Sequence, residues 1–189
     1  MKRGVSLAVL GAALVLLLTP AASQAQILTP QANVTLNARL TETLSVSLTG
    51  VSLVNFTLVP GGVAPGDSSV AIQTSWVLRP NRTEVKLVGY FDTTNALTDP
   101  GPPVANIASA NVFGRVATGT PTSFTAFTGT VAGIGTAGAS LELFSETILG
   151  NNKTKTRTDN LELQIDLTSA PQQPAGDYTG VFRIQAIAL

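Results

Sequence analysis

The chain has 189 residues, only 12% of them charged, with 11 basic and 11 acidic side chains, no histidine and no cysteine. This balance attracts no polyanion, so nucleic acid is not an expected partner, and the missing histidine removes the commonest general base and zinc ligand. No catalytic residue, cofactor or metal ligand set is assigned from such an inventory, and the chain is read as not an enzyme.

The amino terminus predicts export. Lys2 and Arg3 precede an apolar run from Val5 to Leu18, and Ser23-Gln24-Ala25 places small residues where a signal peptidase acts. Residues 1–25 are therefore expected to be a signal-peptide helix, cleaved before Gln26, and residues 26–189 a single secreted domain. These 164 residues suffice to bury roughly two-thirds of the surface of the unfolded chain. No other apolar run approaches the roughly 18 residues of a membrane-spanning helix, so no span is expected in the mature chain. An exported domain of this size needs no disulfides, and the lack of cysteine excludes a lipid anchor at the cleavage site.

The full chain holds 25 threonines, 17 glycines and 11 prolines, and its mature part reads as all-β. Val34, Leu36, Ala38 and Leu40 alternate with polar residues and predict a first strand. Leu44, Val46 and Leu48 predict a second, and Leu53 to Val59 a third with Val54, Phe56 and Leu58 on one face. Pro60-Gly61-Gly62 and Pro65-Gly66-Asp67 form a loop. Val70, Ile72, Trp76 and Leu78 share one parity, and Val85, Leu87 and Phe91 recover an apolar face after Arg79-Pro80-Asn81-Arg82, which predicts a hairpin with Trp76 as core anchor. Asn95 to Pro103 is expected to be a loop because its prolines lack donors. Shorter strands are predicted at Ile107 to Val116 and Ser123 to Val131. A second hairpin is expected to pair Ala139 to Leu149 with Leu161 to Leu167, and a last strand is expected at Tyr178 to Ala188. The expected fold is an antiparallel two-sheet sandwich with immunoglobulin-like or jelly-roll-like connections.

Several short motifs weigh little in this context. Gly133-Ile134-Gly135-Thr136-Ala137-Gly138 fits G-x-G-x-x-G, but a strand pattern follows where a dinucleotide site needs a helix, so it reads as a glycine-rich turn. Lys153, Lys155 and Arg157 alternate with threonines and form either an anion-binding face or a solvated, aggregation-resistant tip, and the second is favoured. Glu142 and Glu146, with Glu162 and Asp166 opposite, read as an outward polar face rather than a glycosidase pair. Asp92, Asn95 and Asp99 share one segment, with a spacing that matches no standard calcium loop. Asparagine sequons at Asn33, Asn55, Asn81 and Asn152 are assigned no role.

The alternating strand after the signal, Leu44-Ser45-Val46-Ser47-Leu48, Asn55-Phe56, the Gly61-Gly62 loop and Gly176-Asp177-Tyr178-Thr179-Gly180 before a carboxy-terminal strand together resemble secreted bacterial pilin-like proteins. These include the spore coat protein U type domain and fimbrial subunits assembled by chaperone and usher. Such fimbrial subunits usually carry a disulfide and a penultimate aromatic residue, whereas this chain has no cysteine and ends Ala188-Leu189. The resemblance implies an incomplete sandwich completed by a neighbour's amino-terminal strand, with Val34, Leu36, Ala38 and Leu40 as the exchanged segment.

The expected function is accordingly that of an exported, non-enzymatic structural or protein-interaction β-sandwich in the periplasm or at the bacterial cell surface, in its most specific form a pilus-like subunit. Its partners would be itself or other exported proteins, bound through strand edges. The alternative is a secreted carbohydrate- or calcium-binding module. A small outer-membrane barrel ranks lower, since 5% aromatic residues are too few for two interfacial girdles.

Overall fold

The computed structural model describes residues 35–131 and 133–189, so the signal segment and Val34 lie outside the described residues. Residues 39–189 form one compact unit. Among the described residues eleven strands follow in order: β1 (Thr43–Leu48), β2 (Val63–Pro65), β3 (Val70–Val77), β4 (Glu84–Phe91), β5 (Asn95–Asp99), β6 (Ala105–Ala108), β7 (Val112–Val116), β8 (Thr125–Ala126), β9 (Ser140–Thr147), β10 (Thr154–Asp166) and β11 (Phe182–Ala188). One 3-10 turn, Ser109–Asn111, separates β6 from β7.

The described residues are nearly all-β, and every pairing between named strands is antiparallel. The larger sheet has the order β1-β3-β10-β7-β8, with β2 also on β10, the smaller one β11-β4-β9, and β5 and β6 form a ribbon. Inward residues of both sheets share a single apolar core: Val70, Ile72 and Trp76 from β3 and Leu161 and Ile165 from β10 meet Val85, Leu87, Leu143 and Phe144 from β4 and β9. The period of two marks burial correctly in β3 and β10, whereas adjacent Leu143 and Phe144 in β9 are both buried, where the β4–β9 register shifts at Leu87/Val88.

Both expected hairpins are corrected. β3 and β4 lie in different sheets, as do β9 and β10. Leu78 still donates its N–H to Lys153 O on the β10 side (2.8 Å), whereas Thr83 already donates to Leu189 O on the β11 side (2.7 Å), so the chain changes sheets within the Arg79-Pro80-Asn81-Arg82 turn. The return crossing runs through the Leu149–Asn152 turn, closed by Leu149 N–H on Asn152 Oδ1 (2.6 Å). Alternation records that one face of each strand is buried, and a strand in the facing sheet buries it as well as a neighbour in the same sheet.

Four further expectations change. Residues 95–99 are a strand rather than a loop, because the prolines fall after Asp99 and remove no ladder donor from β5. Residues 35–42 carry no strand. Leu53 to Val59 is also no strand and makes only the bridge Phe56↔Gly66, although Val54, Phe56 and Leu58 do pack against the core. The segment from Ser123 to Val131 contributes only the two residues of β8. Gly133, Gly135 and Gly138 have φ near +79°, +66° and +78°, the left-handed backbone that suits glycine, and they form the expected turn before β9.

Candidate functional site: an apolar groove at the open seam

The smaller sheet ends at β11, which pairs only with β4 among the described residues. Leu189 exchanges hydrogen bonds with β4 through Glu84 O (2.9 Å, donated by Leu189 N) and Glu84 N (3.4 Å). Antiparallel alternation then turns the N–H and C=O groups of Phe182, Ile184, Ala186 and Ala188 away from β4, toward the open edge. The side chains of the same four residues face the core. Across the seam stands β1, the edge of the larger sheet.

The two edges do not pair, and the space between them widens into a groove of about 910 Å3. Its floor is core: Val70, Val112, Leu163 and Ile165 from the larger sheet and Phe91 from the smaller. One wall is Val54, Phe56 and Leu58; the other is β11 with the preceding segment from Gln173 to Val181. Leu53, 69% exposed, and Val181, 64% exposed, add apolar surface to its lining. Tyr178 is fixed there by its hydroxyl, which donates to Pro174 O (2.8 Å) and accepts from Gln173 Nε2 (2.7 Å). A groove of this volume and lining can hold a drug-sized apolar molecule or a short run of side chains.

The seam is closed at its other end. Arg82 Nη1 donates to Ala188 O (3.2 Å), one of the outward acceptors of β11, and Arg82 Nε donates to Glu42 Oε1 (2.8 Å) just before β1. The hydrogen bond from Arg82 holds the Glu42 carboxyl below its usual range, and Glu42 raises Arg82 in turn. The latch has no signature in the sequence. Glu42 and Arg82 are 40 positions apart, and no local pattern signals their meeting.

The other charged groups are mostly engaged with one another. Lys155 bonds Glu146 (2.6 Å), and Arg157 bonds Asp159 (2.6 and 2.7 Å) and Glu146 (3.3 Å). Lys153 Nζ donates to Pro80 O (3.0 Å). The basic row of β10 is thus largely neutralised within the protein. Glu142 bonds Lys86 (2.9 Å), Glu162 bonds Arg115 (2.7 Å), and Asp166 accepts from Thr168; Glu142 and Glu162 stand on different sheets and form no facing pair. Asp92 pairs with Arg183 (2.9 Å), and Asp99 accepts from Gly101 N–H (3.0 Å). Among the described residues no three carboxylates are grouped as a metal site would require.

Burial acts to raise the Glu146 carboxyl, but bonds from Lys155, Asn152 and Arg157 outweigh it and leave the group below the usual 4.5. A depressed carboxylate contributes stability that is present above 4.5 and lost as pH falls through the lowered native value. Glu146→Gln is therefore expected to lower stability at pH 7 and to flatten its decline below pH 4.5. Urea melts at a series of pH values check this, and a variant with the wild-type acid limb would contradict it.

Of the proposed exchange segment, Leu36 is 87% and Leu40 83% exposed, Ala38 is exposed as well, and Val34 lies outside the described residues. The sequence thus offers an alternating apolar segment, and among the described residues no strand fills the apolar seam. No protein-family model matches the chain, and comparisons with curated proteins and with solved structures found no match.

Proposed function

We propose that the protein is an exported, non-enzymatic structural subunit of the bacterial periplasm or cell surface, an incomplete immunoglobulin-like sandwich that binds other copies of itself by strand addition. The observation that carries this reading is the seam: the outward N–H and C=O groups of β11 border an apolar groove of about 910 Å3. Main-chain bonds to an edge supply affinity, and pockets for alternate side chains supply register. Residues 34–40 carry the matching pattern, with Leu36 and Leu40 exposed. Arg82 on Ala188 O leaves Phe182, Ile184 and Ala186 as the outward positions open to a partner. Export is supported by Lys2, Arg3, the apolar run and the small residues at 23–25.

Sedimentation velocity of the exported protein at micromolar concentration tests the reading. The intact protein is expected to form chains, a peptide of residues 33–41 to cap them, and Leu36→Asp with Leu40→Asp to leave monomers of unchanged melting temperature. A stable intact monomer that ignores the peptide would overturn it.

A further inference from the structure

Residues 51–59 form one wall of the groove, yet they are held differently from the rest of the fold. Val54, Phe56 and Leu58 pack inward, while the backbone makes the single bridge Phe56↔Gly66, with a bond from Asp67 N–H to Asn55 O (3.0 Å), and a turn bond at its far end from Gly62 N–H to Val59 O (3.0 Å). The remaining attachment is a side-chain clasp. The Asp67 carboxylate accepts from Asn55 N–H (3.1 Å), Asn55 Nδ2 (2.8 Å) and Ser68 Oγ (2.9 Å).

The clasp sits on a glycine. A Cβ on Gly66 would stand 2.6 Å from Val54 Cγ1 and 3.4 Å from Phe56 Cε1, so only glycine lets the wall lie down at this point. Gly66 is itself fixed to the larger sheet by its N–H on Leu163 O (2.8 Å). The seat is thus rigid, and the segment resting on it has few backbone bonds, the combination that marks a locally opening unit. Leu53 and Val59 also leave apolar side chains exposed, so the segment carries apolar surface beyond its inward face.

We infer that residues 51–59 are a movable strap, locked by the Asn55–Asp67 clasp on Gly66, that controls entry to the apolar groove. The inference rests on the groove being the binding site proposed above, and it adds the device that regulates access. When the clasp is closed, Val54, Phe56 and Leu58 hold the groove at its observed width. When it opens, the core side chains beneath become accessible to an incoming apolar strand.

Asn55 and Asp67 are directly opposed in the register set by Phe56↔Gly66, a separation compatible with a disulfide, and the chain has no other cysteine. Asn55→Cys with Asp67→Cys therefore makes a staple that dithiothreitol releases. Two probes report entry: 8-anilinonaphthalene-1-sulfonate, which needs only an accessible apolar groove, and the 33–41 peptide, which needs strand addition. Both are expected to enter about ten-fold more slowly in the oxidised than in the reduced protein, within the range over which on-rates vary among variants of one interface. Asn55→Ala and Gly66→Ala are expected to speed dye entry and hydrogen exchange at residues 53–58, at temperatures where melts show the fold intact. Equal dye entry in both redox states, with exchange of 53–58 only through global unfolding, would overturn the strap. Dye entry that follows the staple while the peptide fails to bind would sustain the strap and overturn strand addition instead. Peptide binding that ignores the staple would do the reverse.

Discussion

Trp76→Ala is expected to destabilise the fold by about 3–5 kcal/mol, the usual cost of emptying a large aromatic site in a packed core. The indole is 1% exposed and stands 6.4 Å from the Phe144 ring of the opposite sheet, centroid to centroid. Its Nε1 donates to Asn152 O (2.8 Å) in the turn where the chain returns to the larger sheet. The ring thus joins both layers and one crossing, so truncation leaves a cavity and an unfilled acceptor together. Trp76→Phe keeps a ring in the core and loses only the polar bond and part of the volume, so its effect should be smaller. Chemical denaturation with matched slopes measures both. An unchanged midpoint for the alanine variant would remove the indole from the core and reopen a role for it in ligand stacking.

Arg157→Ala should cost a comparable amount, about 3–5 kcal/mol, because it strands a buried carboxylate. Asp159 is 1% exposed and keeps only the Thr118 hydroxyl (2.7 Å) among its side-chain partners once Arg157 is gone. The guanidinium also lies 4.0 Å from the Phe144 ring centroid and donates to Thr118 O (3.0 Å), so packing and polar bonding fail together. Adding Asp159→Asn removes the stranded charge, and the double variant is expected to be more stable than Arg157→Ala alone. Equal stability of the two would mean that Asp159 is hydrated in the native state and that the pair carries no such cost.

Both experiments address residues whose importance is unevenly visible along the chain. Trp76 announces itself by sharing parity with Val70, Ile72 and Leu78. Arg157 sits in what reads as an exposed basic row, and its burial against Phe144 and Asp159 follows from where β9 and β10 cross between layers. The seam is likewise invisible in one dimension. Phe182, Ile184, Ala186 and Ala188 alternate as any half-buried strand does, and nothing in that pattern tells that their outward backbone groups meet no neighbouring strand among the described residues.

Local chemistry along the chain thus suffices for the all-β class, the core parity of β1, β3, β4, β10 and β11, the buried tryptophan and the glycine-rich turn, because side-chain direction and backbone freedom depend on adjacent residues. Sheet membership, the Arg82–Glu42 latch, the Asn55–Asp67 clasp and the open edge of β11 are decided only in three dimensions. Each depends on partners 12 to 106 positions apart, and alternation makes a strand's buried face legible without specifying which strand, if any, lies at its side.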